Sequence, residues 1–148
     1  MKATHRLATL GDAKRLFELR RKSIIALAPK GMSVPQAEIW AANLTVAGME
    51  RKIRELEIWI VELNDTVVGW GAIRGGQLEG LYTAPEFVGR GIGTELLGML
   101  EGLMRERGIL AVRTEASSNA EEFYLRRGYE PIGPRTPEGA RPIAKRLS

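Results

Sequence analysis

A chain of 148 residues with no cysteine and a single histidine, His5, must run any chemistry on other groups. The missing cysteines remove thiol nucleophiles, disulfides and thiolate-held zinc. One histidine near the N-terminus supports neither a Ser-His-Asp arrangement nor a histidine-rich metal centre, so no metal is expected. Proton transfer is left to carboxylates, tyrosine, lysine or water. One stretch then stands out: EFVGRGIGTELL, residues 86–97, with Gly89, Gly91 and Gly93 at alternate positions and Arg90 among them. A helical run follows directly. Glycine allows a ligand to approach the backbone closely and permits positive φ. The first turn of a helix offers unpaired N–H groups and a partial positive charge. The amides of Val88, Gly89, Arg90, Gly91, Ile92, Gly93 and Thr94, with the Arg90 guanidinium, are therefore a candidate cradle for a phosphate. The alternative is a plain glycine-rich connector. The stretch is no P-loop, because no lysine follows Gly93, and no dinucleotide fingerprint, because Leu96 stands where the third glycine belongs.

Elements on either side must position this stretch. Residues 5–10 read as a short strand. A helix follows with Asp12 as N-cap and Ala13, Leu16, Phe17, Ile24 and Leu27 at helical spacing. Arg20 falls where that stripe would continue, either snorkelling at the core's edge, the preferred reading, or pointing into a cleft. Residues 34–44 read as a second helix. EIWIVEL (57–63), the turn Asn64-Asp65, TVVGWGAI (66–73), the turn Gly75-Gly76 and QLEGLYT (77–83) make an antiparallel meander, with Gly69 and Gly71 as possible bulge markers. The glycine stretch opens a helix that Gly108 ends. Residues 109–116 are a strand. A short helix with Asn119 as N-cap and Glu122 completing a capping box then runs to Gly128. Two closing strands follow. Strand, helix, strand, helix, strand in succession requires at least one parallel crossover. The fold class is α+β, in one domain over residues 1–148.

Charge and hydropathy narrow the partners. The net charge of +4 suits an anionic ligand, or solubility alone. Lys14, Arg15, Arg20, Arg21 and Lys22 spread around their helix instead of forming one stripe, so no nucleic-acid partner is expected. No apolar run approaches the ~18 residues of a membrane span. The first twelve residues carry Lys2, Arg6 and Asp12 without an apolar segment, unlike a signal peptide. No membrane partner is expected, and the cytoplasm is the expected location.

LYTAPEFVGRGIGTELL resembles the acetyl-CoA signature of the GNAT superfamily of N-acetyltransferases: a strand ending near a proline, then [QR]-x-x-G-x-[GA] at a helix start. Gly91 and Gly93 match the two small positions. Val88 departs from the [QR] position, which removes any contact from that side chain but not from the amides. EASSNAEEFYLRRGY (115–129) is similar to the family's second segment, N-A-x-x-F-Y-x-x-x-G-[FY]. Together the motifs cover roughly residues 58–129.

The resemblance implies a central, mostly antiparallel mixed sheet of about six or seven strands flanked by about four helices. It implies an acetyltransferase moving an acetyl group from acetyl-CoA to a primary amine by direct attack; a non-catalytic acyl-CoA-binding domain is the alternative. The pantetheine arm would lie along residues 78–83, touching Leu81 and Thr83, with an N–H near Leu81 or Tyr82 polarising the thioester carbonyl. Tyr124, at the family's tyrosine position, is the expected general acid. Glu79 is the expected base, with Glu115 or water as alternatives. Asn119 is a further candidate cofactor contact beside its capping role. The acceptor pocket would fall within residues 20–49, with Trp40 and Glu38 as candidate lining. Expected partners are a small-molecule or peptide amine, and a homodimer is left open.

Overall fold

The computed structural model describes residues 3–27 and 44–147. In chain order its elements are β1 (Thr4–Leu7), α1 (Ala13–Leu27), α2 (Val46–Glu55), β2 (Glu57–Leu63), β3 (Thr66–Arg74), β4 (Gln77–Thr83), α3 (Ile92–Glu106), β5 (Ala111–Ala116), α4 (Glu121–Leu125), β6 (Glu130–Pro131) and β7 (Arg141–Arg146). The strands form one sheet in the order β1-β2-β3-β4-β5-β7-β6. Every neighbouring pair is antiparallel except β4 and β5, which are parallel. The α+β architecture expected above, an antiparallel front joined to the back by a parallel crossover, is the one observed.

The meander forms where the sequence places it because its turns are chemically specified. Asn64 and Asp65 both take positive φ, 50° and 63°, which matches the twist of a two-residue hairpin. The first strand is shorter than read. Asp12 is not the N-cap of α1: its carboxylate accepts from the Thr9 amide at 2.8 Å and closes a 3-10 turn over Leu10–Asp12. The same carboxylate takes both terminal nitrogens of Arg6, at 2.9 and 2.8 Å, tying that turn to β1. The helix α2 was not anticipated, whereas the expected helix over residues 34–44 lies almost wholly outside the described residues, as do Trp40 and Glu38.

Side chains leave the sheet alternately to two faces. On one face Ile58, Ile60, Trp70 and Ala72 pack with Ala13, Leu16 and Leu19 of α1 and Met49 of α2. On the other, Val61, Val68, Ile73 and Leu78 pack with Ile92, Leu96, Leu97, Leu100 and Met104 of α3, and with Tyr124 and Tyr129. Gly71 has a packing reason: a Cβ there would stand 2.7 Å from Leu100 Cδ1, so its absence lets α3 lie close on the sheet. The bulges fall beside the glycines, not on them. Val61 pairs with Gly69 and Glu62 with Val67, leaving Val68 as the extra residue of β3. Ala72 pairs with Gly80 and Ile73 with Leu78, leaving Glu79 as the extra residue of β4.

Candidate active site

The parallel pair is barely a pair. β4 and β5 are in register at one position, Gln77 with Arg113, and the Thr114 hydroxyl donates to the Leu78 carbonyl at 2.9 Å just beyond it. Past that point β4 keeps its β3 partner but, among the described residues, has no strand on its other side. The Ala84 amide donates to Val68 of β3 at 2.8 Å. Main-chain direction alternates along a strand, so Tyr82 also turns to β3 while Leu81 and Thr83 turn their N–H and C=O to the open edge. An extended, amide-bearing ligand can add there as a strand would. A cavity of about 190 Å³ lies alongside, between Thr83, Pro85 and Val88 on one side and Ser23 and Ala26 of α1 on the other.

The glycine stretch stands at the end of this edge. Gly91 is the N-cap of α3 in the left-handed region, φ 79° and ψ 8°, and no side chain caps the helix. Gly89 also takes positive φ, 87°. The amides of Ile92, Gly93 and Thr94 are the first three of the helix and have no intrahelical acceptor. Among the described residues no atom lies within 4 Å of where a Cβ would stand at Gly89 or Gly91. These features fit a phosphate-bearing ligand. The cradle is narrower than the sequence reading had it. The Val88 and Arg90 amides already donate to the Pro85 and Phe87 carbonyls, both at 3.3 Å. The Arg90 guanidinium rests over the Phe87 ring at 5.2 Å. Gly93 takes no positive φ, and a Cβ there would make ordinary contacts, with the Phe123 ring at 3.4 Å and Thr83 Oγ1 at 3.5 Å.

Arg127 belongs to the same place and was missed from sequence. Its Nε donates to Thr94 Oγ1 at 3.1 Å, and its guanidinium lies over the Phe123 ring at 3.8 Å. It adds a full positive charge at the mouth of α3 and engages the Thr94 hydroxyl. The only sequence signal was the second arginine before Gly128.

Tyr124 is buried on α4 and packs edge-on against Phe123 and Tyr129, with ring centroids 5.2 and 5.3 Å away. Burial pushes its hydroxyl pKa up, and the nearby Tyr82 phenol is a second cause; it has no side-chain hydrogen-bond partner among the described residues. It therefore stays a neutral donor. Tyr129 differs: its hydroxyl donates to Glu101 at 2.7 Å, and Lys145 donates to the other oxygen at 3.0 Å, a buried clamp between α3 and β7. Asn119 is not the N-cap of α4. The cap is Ala120, while the Ser117 carbonyl accepts from the amides of Ala120 and Glu121 at 3.0 and 2.9 Å, and Asn119 Oδ1 accepts from the Ser117 hydroxyl.

Glu79 and Tyr124 are not neighbours. As the bulged residue of β4, Glu79 pairs with Arg74 at 3.4 Å and its charge acts on Lys52 of α2, which puts it on the α1–α2 side of the sheet. Tyr124 belongs to the cluster on the α3 side. Tyr82 lies between them in character: its ring packs on Trp70 at 4.7 Å, and its phenol is felt by Tyr124. Glu115 is exposed on β5, opposite Pro142. Arg20 does not snorkel. Its guanidinium lies 5.4 Å from the Tyr82 ring centre, and it lines a cavity between α1 and α2. Among the described residues no group of acidic and histidine side chains could hold a metal ion, and no helix is long and apolar enough to cross a membrane.

A sheet split at its single parallel pair, with an uncapped helix mouth at the end of the split, is the layout expected of a transferase that draws on an acyl carrier. A family model described as an acetyltransferase (GNAT) domain matches residues 27–140, and the chain belongs to that family. It is accordingly an acyltransferase with acetyl-CoA as acetyl donor. The uncharacterized N-acetyltransferase YafP of Escherichia coli K12 is 24% identical over 122 residues, which are 82% of this chain and 77% of that protein. The crystal structure of a GCN5-related N-acetyltransferase from Rhodopseudomonas palustris superposes with a TM-score of 0.88 at 28% identity, over 99% of this chain and 97% of that one. The PaiA N-acetyltransferase of Thermoplasma acidophilum, solved with coenzyme A, has a TM-score of 0.85 at 22% identity, over 99% and 100%, and shares the fold.

Proposed function

We propose that residues 1–148 form one N-acetyltransferase domain that acetylates a primary amine of a small molecule or peptide by direct attack on the donor. The observation that carries this reading is the unpaired edge of β4, which runs from the open amides of α3 to the neighbourhood of Tyr124. The amides of Ile92, Gly93 and Thr94 hold the diphosphate, with Arg90 and Arg127 adding charge. Gly89 and Gly91 keep side chains out of its way, and Val88 borders it. Leu81 and Thr83 turn to the pantetheine amides, and of the two N–H groups expected near the carbonyl the one of Leu81 polarises it, since that of Tyr82 is turned to β3. Asn119 remains a candidate contact beside the cradle.

Bound acetyl-CoA supplies a thioester, whose carbonyl carbon accepts the amine nitrogen while the C–S bond breaks. An alkylammonium of pKa ~10.4 must first lose a proton, which costs about 4–5 kcal/mol at pH 7. Glu79 receives it, directly or through water, and passes it to solvent. Tyr124 donates the proton that the sulfur needs and is reprotonated with the second proton leaving nitrogen. A thiol's ordinary pKa of ~8.5 lies below that of tyrosine, so in water this transfer would be uphill. Burial raises the pKa of the sulfur as it raises that of the tyrosine, so the gap stays, and the proton that the nitrogen returns to Tyr124 offsets the uphill step.

The test is acetyl-CoA with a mixed amine panel, followed by free-thiol release, on the wild type and on Tyr124→Phe. The variant keeps the packing of the ring and loses only the hydroxyl. A fall in kcat of roughly 10²–10⁴, with acetyl-CoA affinity unchanged, is expected. Unchanged turnover in Tyr124→Phe removes Tyr124 from the mechanism.

A further inference from the structure

A cavity of about 380 Å³ opens between α1 and α2, lined by Phe17 and Met49 at its apolar side and by Arg20, Arg51, Lys52 and Glu55. Three cations face one carboxylate. None of the three makes an ion pair among the described residues. Arg20 Nε is buried and has no hydrogen-bond acceptor there. Buried polar groups nearly always find partners, and a guanidinium N–H without one is costly. Lys52 is affected too: burial, and then the Arg20 charge, lower its pKa from the ordinary lysine value, against the smaller opposing effects of Glu79 and Glu55. Two cations pressed together in a half-closed cavity are the arrangement that an anion relieves.

The cavity adjoins the acyl-transfer region. Arg20 stacks over Tyr82 on β4, one residue from Leu81 on the open edge. Glu79, the proposed base, lies within electrostatic reach of Lys52 on the same side of the sheet. An acceptor anchored at Arg20 and Lys52 would lie on the face of the sheet that carries Glu79.

We infer that the acceptor is an amine carrying an acidic group, a carboxylate or a phosphate, which Arg20 and Lys52 bind while the amine reaches the acetyl donor. This rests on the acetyltransferase reading above and adds the class of acceptor. Arg20 supplies planar donors suited to either oxyanion, and Lys52 supplies a point charge. The same charges repel polyamines and lysine-rich peptides.

The experiment compares matched amines at saturating acetyl-CoA: glutamate, aspartate and phosphoethanolamine against ethanolamine, butylamine and spermidine. Acetyl-CoA binding is measured separately by calorimetry. Free-thiol release is expected with at least one acidic amine and to exceed that with its neutral counterpart. Arg20→Gln and, independently on the other helix, Lys52→Gln are expected to raise KM for the acidic amine roughly tenfold or more, with acetyl-CoA affinity unchanged. Loss of acetyl-CoA binding by the wild type refutes the acetyltransferase reading itself. With acetyl-CoA binding intact, preference for ethanolamine, butylamine or spermidine overturns the acceptor inference. So does a panel in which neither variant alters KM. If no amine turns over, titration of glutamate and phosphoethanolamine into the CoA-loaded protein decides: saturable binding weakened by both variants supports the inference, and its absence overturns it.

Discussion

Replacing Gly91 by alanine tests the local geometry on which the donor site depends. Gly91 is held at φ 79°. An L-residue in that region costs about 1–2 kcal/mol. Among the described residues nothing lies within 4 Å of the new Cβ, so they add no steric clash and the expected cost is backbone strain. Gly98, on the same helix, supplies the control. It is exposed, helical and equally free of neighbours at its Cβ position. Alanine there removes chain entropy from the unfolded state and fits the helix, so stability should rise by about 0.5–1 kcal/mol. The two changes are chemically identical and should move in opposite directions, about 2 kcal/mol apart. Urea unfolding measures both. Binding separates them further. A methyl at residue 91 sits on the cap residue itself, next to the first helix amides. Losing one charge-assisted contact of about 1.5–3 kcal/mol weakens acetyl-CoA by roughly 10- to 150-fold. Calorimetry should show that loss in Gly91→Ala and none in Gly98→Ala. If Gly91→Ala is as stable as the wild type and binds acetyl-CoA equally well, both the strained cap and the amide cradle are wrong.

Arg127→Ala removes a cation from the mouth of α3 and releases Thr94; acetyl-CoA affinity should fall several-fold, and the loss should shrink as salt rises, because an exposed charge is screened. A salt-independent loss would instead point to the ring contact with Phe123. Asp12 governs an acid transition. Arg6 beside it pushes its pKa down from 3.8 to about 2. A carboxylate with a depressed pKa stabilises the fold above its unfolded value and loses that contribution as pH falls through 4 towards its folded value, about 2. The full shift corresponds to about 2 kcal/mol, and screening of Arg6, whose side chain is 40% exposed, brings the expectation nearer 1 kcal/mol. Asp12→Asn should therefore be less stable at neutral pH and show a flatter stability profile in acid; parallel profiles for the two proteins would exclude the pair as its source.

What could be read from the chain follows the range of the forces involved. The strands β2, β3 and β4 and the turn at Asn64-Asp65 were legible because alternation and turn chemistry are local. The mouth of α3 was legible for the same reason: glycine at residue 91 and a helical run after it specify a flexible cap wherever the helix packs. The helix α2 was not, although Thr45 caps it and Val46, Met49 and Ile53 have helical spacing, because three arginine and lysine side chains and two glutamates crowd the same eleven residues. Glu79 shows the deeper limit. Counting by twos along β4 puts it on the same face as Leu81, but a bulge shifts it to the other face; a bulge arises from the register of two strands, and neither strand alone declares it. Arg127 meets Thr94 across 33 residues of sequence, a contact that exists only after α3 and α4 have docked. Arg20 is the clearest case. On its own helix it is one more cation beside an apolar stripe, and snorkelling is the ordinary outcome for such a residue. Only when α2 brings Lys52 and Arg51 against it, and β4 brings Tyr82 beneath it, does it become half of a cation pair at the edge of a transfer site. Short-range pattern therefore locates the proposed donor cradle, while the acceptor chemistry we infer rests on contacts between elements distant in sequence.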